Sequence, residues 1–115
     1  MGYDLHITRA GNWFDSKAAP ISLDEWATHV AADPEMRMDG FAETEADGQI
    51  LRIESAGLAV WVAYSGHGKD GNMAWFGYQD GRIVVKNPDD EIIGKMKRIA
   101  TCFQAKVLGD EGEIY

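Results

Sequence analysis

The chain has 115 residues, nineteen Asp or Glu against eleven Lys or Arg, a formal net charge of −8, and one cysteine, Cys102. That length supports a single domain, residues 1–115, around one core without staples. The charge repels phosphate backbones and anionic lipid, so neither a nucleic acid nor a membrane is an expected partner, while a basic protein is attracted. No apolar run approaches the ~20 residues of a membrane span, and a lone cysteine can build neither an internal disulfide nor a cysteine metal site. The opening MGYDLHITRA carries Asp4 and no apolar h-region, which is not the pattern of a secretory signal; a reducing, cytoplasmic compartment is expected.

In chain order, YDLHIT at 3–8 alternates Tyr3, Leu5 and Ile7 against Asp4, His6 and Thr8, the period of a half-buried strand. GNWFDSKAAP reads as a loop. Ser22 followed by Glu25 forms a capping box, and Leu23, Trp26, Ala27 and Val30 make the stripe of a helix that stops before Pro34. Residues 38–46 read as a polar edge strand, Asp47-Gly48 as a two-residue hairpin turn, and 49–54, QILRIE, as the returning strand. LAVWVAY at 58–64 is apolar on both faces and is expected to be central. SGHGKDGN, 65–72, connects it to a strand at 73–79. Asp80-Gly81 then turns into RIVVK at 82–86.

Asn87 is the expected N-cap of the last helix, with Pro88 at its first position and Asp89, Asp90 and Glu91 complementing its dipole. Ile92, Ile93, Met96, Ile99, Ala100 and Phe103 form its apolar arc. A short strand at 105–108 and a turn at 109–112 follow. The fold class is therefore α+β: a two-layer sandwich of mostly antiparallel sheet, ordered strand, helix, five-strand meander, helix, strand, with both helices on one face.

Candidate chemistry is thin. SGHGKDGN is not a phosphate-binding loop, because GxxxxGK[ST] is absent and no strand-to-helix transition follows. His67 oriented by Asp70, with Lys69 holding an anion, is the one arrangement there that suits general-base catalysis. The plain alternative is a wet hairpin loop whose glycines supply positive φ. His6, His29 and His67 lack HxH or HxxxH spacing, and Asp110, Glu111 and Glu113 lack the spacing of a calcium loop, so no metal or other cofactor is expected. Cys102 has no helix N-terminus to activate it. With the helices on one face, some rings among Trp61, Trp75 and Tyr78 line the other, unless the Trp13 loop or a second copy covers it.

The stretches HITRA, ISLDEW, KNPDDEIIGKM and AKVLGDEGEIY resemble a group of small acidic bacterial proteins. In size, charge and α+β build the chain also resembles immunity proteins, which neutralise a cognate toxin. The resemblance implies a cytoplasmic inhibitor, not an enzyme, that blocks the active site of a basic toxin domain; no shared motif assigns it residues. From the residues themselves, the expected partner contacts are Trp61, Trp75, Tyr78, His67 and Asp70, with Asp89, Asp90 and Glu91 at the helix start and Asp110, Glu111 and Glu113 in the tail. The other readings are a small enzyme built on the 65–72 loop and a homodimeric module closed through the open sheet face.

Overall fold

A computed structural model describes residues 3–69 and 73–115. The elements are β1 (Asp4–Thr8), a 3-10 segment (Trp13–Ala18), α1 (Leu23–Ala32), β2 (Met36–Met38), β3 (Phe41–Ala46), β4 (Gln49–Glu54), β5 (Ala59–Trp61), β6 (Trp75–Gln79), β7 (Arg82–Lys86), α2 (Asp90–Cys102) and β8 (Lys106–Gly109). The fold is α+β. Six strands form one antiparallel sheet in the order β2-β5-β6-β7-β1-β8, and β3 and β4 form a separate two-stranded arm.

Alternation decides the two faces. Leu5 and Ile7 on β1, Ile83 and Val85 on β7, Phe76 on β6 and Trp61 on β5 meet Trp26 and Val30 of α1 and Ile92, Met96 and Ile99 of α2 in one core. Both helices therefore lie on the same face, as their stripes demand. His6, Thr8, Arg82, Val84, Gly77 and Trp75 have the opposite parity and point to the second face. The 3-10 segment, which reads as a plain loop in sequence, covers that face over His6, Thr8 and Arg82. Its Ser16 hydroxyl sits 2.7 Å from the hydroxyl of buried Thr8.

α1 begins as its capping box dictates: the Ser22 hydroxyl accepts from the Glu25 amide, and the Ser22 amide donates to the Glu25 carboxylate. α2 differs from expectation. Asn87 is not its cap; it lies at φ 48°, a left-handed conformation Asn tolerates, and exchanges two hydrogen bonds with Tyr3. Asp89 is the cap, accepting from the Ile92 amide at 2.9 Å, and Pro88 precedes it. A charged acceptor at the positive helix end outcompetes a neutral amide already engaged by Tyr3.

The meander is also interrupted. The stretch expected as one strand over 38–46 breaks at Asp39-Gly40, with Gly40 at φ 74°. Only β2 pairs with β5, while β3 runs on with β4 as an arm beyond the sheet. The strand at 58–64 is short and lies second from one edge instead of centrally, although Ala59, Val60 and Trp61 are all buried. Gly57 permits this crossing. At φ 82°, a side-chain carbon there would meet the Tyr78 Cβ at 2.6 Å, and its carbonyl accepts from buried Trp26 Nε1 at 2.7 Å.

Candidate functional site

Antiparallel register gathers the acidic segments. β7 ends at Lys86 opposite Asp4, and β8 ends at Gly109 opposite Leu5. β5 ends at Trp61 where β6 begins at Trp75. The start of α2, the 110–113 turn and the loop after β5 therefore share one end of the sheet; the β6–β7 turn and the arm lie at the other. Asp89, Asp90 and Glu91 thus join Asp110, Glu111 and Glu113 on one acidic end.

Most of these carboxylates already have internal partners. Asp89 caps α2 and also accepts from the Tyr64 hydroxyl at 2.5 Å. Glu91 holds the loop down, accepting from the Ser65 amide at 3.0 Å and its hydroxyl at 2.5 Å. Glu113 accepts from the Glu111 amide at 3.1 Å. Asp110 accepts from the Asp4 amide at 3.0 Å and pairs with His6, and these contacts hold its carboxyl below the usual carboxylate range, the Asp4 amide foremost. Asp90 and Glu111 are exposed with no side-chain partner among the described residues, and they are the carboxylates free to meet another molecule.

The expected rings separate. Trp61 is buried at 4% exposure beneath α2 and donates to Glu35 at 3.2 Å, so it belongs to the core. Tyr78 projects to the helix side and donates to the Ile21 carbonyl at 2.8 Å. Trp75 alone reaches the second face half-exposed, at the wall of an apolar groove of about 280 Å³ with Leu58, Met73, Gly77 and Val84. His67 is half-buried in the loop, its amide bonded to the Tyr64 carbonyl and its Nδ1 buried without a partner among the described residues. Asp70, expected to orient it, lies outside the described residues.

The best-built polar cluster was not legible from spacing. His6, 3% exposed, has Nε2 2.9 Å from Asp110 Oδ1, while its Nδ1 accepts from Arg82 Nε at 3.2 Å. Trp13 stacks on the imidazole at 4.3 Å between centroids, carries the Arg82 guanidinium at 4.9 Å, and donates to the Asp110 carbonyl at 3.0 Å. These partners require the neutral tautomer with its proton on Nε2. An aspartate beside a histidine suggests a general base, but both ring nitrogens are occupied and a tryptophan seals the ring. The cluster fastens the 3-10 segment and the 110–113 turn to the sheet.

A second network ties α1 to α2. Lys95, its side chain 7% exposed, contacts Asp33 at 2.7 Å and Glu35 at 3.4 Å. Arg9 forks onto Glu25 at 3.1 and 2.5 Å while donating to the carbonyls of Phe103 and Pro20. Glu25 is thereby pulled down to about 2, first by Arg9 and then by the Ser22 amide. Both networks hold the helices in place.

Among the described residues, no helix is long and apolar enough to cross a membrane. Comparisons with protein-family models, with curated proteins and with solved structures return no match for the chain.

Proposed function

We propose that this chain is a cytoplasmic protein-binding inhibitor of the immunity type, occluding the active site of a basic toxin domain, and that the acidic end of its sheet makes the contact. The observation that carries the reading is the convergence of two segments distant in sequence, 89–91 and 110–113, on one end. Cleft-bearing enzymes that act on nucleic acid or nucleotides present cationic surfaces, and an acidic rim on a chain of charge −8 accelerates encounter with them. The internal hydrogen bonds of Asp89, Glu91 and Asp110 fix the rim in advance, so little ordering is left to binding. Asp90 and Glu111 supply the unshielded charge.

The test is to mix the chain with the basic toxin-like product of an adjacent gene, measuring complex formation by size exclusion and loss of the toxin's activity. Asp90→Lys with Glu111→Lys is expected to slow association about tenfold at low salt, while the chain stays folded and loses only a few degrees of melting temperature from the cation placed in the first turn of α2. Absence of a complex, or an association rate indifferent to these reversals and to salt, counts against the reading.

A further inference from the structure

The arm at the other end of the sheet calls for a different occupant. Its strands make their substantial contacts with each other, and all six residues of β4 are exposed. Ile50, Leu51 and Ile53 are 71, 51 and 64% exposed. Alternation puts Leu51 and Ile53 on one face, with Ile50, Arg52 and Glu54 on the other, where Arg52 stacks on Phe41 at 3.9 Å. A lone two-stranded hairpin is marginal in water, and neither strand carries the Pro or Lys that blunts a free edge. Residues 41–54 hold four carboxylates against one guanidinium, a net of −3.

The apolar groove on the second face begins at the root of this arm, where Ser55 and Leu58 line it. Trp75, Gly77 and Val84 form its floor. In a chain with nineteen acidic side chains, its nine lining residues include no carboxylate, and their single charge is the ammonium of Lys86. An apolar, acidic ribbon is what such a groove accepts, and the arm is one.

We propose that the arm seats in the groove of a second copy, and reciprocally, giving a two-fold arm-exchanged dimer. Leu51 and Ile53 lie on Trp75 and Val84 of the other copy, and the carboxylates of the arm approach its Lys86. Because each groove starts where its own arm leaves the sheet, a two-fold axis near the roots lets both arms be seated at once, their free edges alongside one another. Six residues at ~3.3 Å make an arm ~20 Å long and ~10 Å broad, so its two faces present on the order of 400 Å². Seating one face of each arm covers on the order of 200 Å² of arm and a similar area of groove on each copy. That is on the order of 400 Å² per partner, about half of a standard stable interface, which makes the dimer a weak, concentration-dependent one. The dimer uses the arm and the second face of the sheet, along a groove that runs from the arm's root up to Lys86, and its argument does not rest on the inhibitor reading.

Sedimentation equilibrium of the full chain over two decades of concentration is expected to show the mass rising from one copy to two. Leu51→Lys with Ile53→Lys should hold it monomeric without lowering the melting temperature, since both side chains are exposed. Lys86→Glu, on the groove side, should weaken the dimer at least about tenfold. Salt should strengthen the dimer, because two copies of charge −8 repel, whereas salt weakens capture of a basic partner. A monomer at every concentration, with the arm closed on its own groove or free, overturns the proposal. A dimer that survives both sets of substitutions overturns it equally.

Discussion

Replacing Gly81 and Gly48 by alanine, one at a time, separates the sheet from the arm. Both follow an aspartate in a two-residue hairpin turn of the same conformation: Asp80 and Gly81 at φ 51° and 84°, Asp47 and Gly48 at φ 53° and 74°. Alanine in the left-handed region costs about 1–2 kcal/mol at either site. Only at Gly81 does the new methyl collide, 2.7 Å from Pro20 Cβ and 3.0 Å from both Pro20 Cα and the Ser16 carbonyl; at Gly48 nothing lies within 4 Å. Overpacking of that kind adds about 1–3 kcal/mol, so Gly81→Ala should cost about 2–5 kcal/mol. At ~2.1 cal/mol/K per residue, a chain of this length loses about 4 °C per kcal/mol, which places the drop at about 8–20 °C. Gly48→Ala puts its strain into an arm that packs on itself. Global stability should stay within about 0.5 kcal/mol while the amides of β3 and β4 exchange faster. Urea unfolding followed by tryptophan fluorescence, with hydrogen exchange on the arm, reads both. Equal losses in the two variants would show that the arm melts with the sheet, and the separation drawn here would be wrong.

Other consequences are as direct. Glu25, ordinarily near 4.5, is held at about 2 in the fold by Arg9 and Ser22, so the unfolded chain binds the proton first. The stabilisation is complete above pH 4.5 and is lost as pH falls toward 2; Glu25→Gln should flatten that limb of a stability–pH curve. His29 lies between Trp26 and Phe103, and burial pushes its imidazole below the usual 6.5 despite Asp33 nearby. Stability should therefore decline as pH falls below 6.5, and His29→Phe should remove that decline in thermal melts. Lys95→Met leaves Asp33 and Glu35 without their cation. Because Glu35 remains half in water, a loss of about 2 kcal/mol in urea titrations is expected, short of the ~3–5 kcal/mol of a fully buried pair.

Local signals carried far in this chain where one physical rule acted alone. The capping box at Ser22 and Glu25, the Asp-Gly turns and the stripe of α2 all formed where their residues indicated. Competition between neighbours defeated the rest. Asn87 and Asp89 are both good caps, and only the fold reveals that Tyr3 has already engaged Asn87. QILRIE satisfies a strand pattern whether it joins the sheet or leaves it, and apolar residues on both of its faces suggest, if anything, cover on both sides. The His6, Trp13, Arg82 and Asp110 cluster draws on residues up to 104 apart. No spacing rule detects that. The convergence of 89–91 with 110–113 was within reach of register reasoning once β7 and β8 were both assigned beside β1.

The pairing of β1 has a kinetic side. Its neighbours in the sheet are β7 and β8, so Leu5 and Ile7 find their ladders only after the intervening strands and helices have been made. A nascent chain emerging from the ribosome carries this apolar strand with both edges bare until β7 and β8 have followed it. Closing so long a loop is entropically slow. Assembly is thereby deferred to a late, concerted step, and in the interval the first strand is the segment with most to gain from a chaperone.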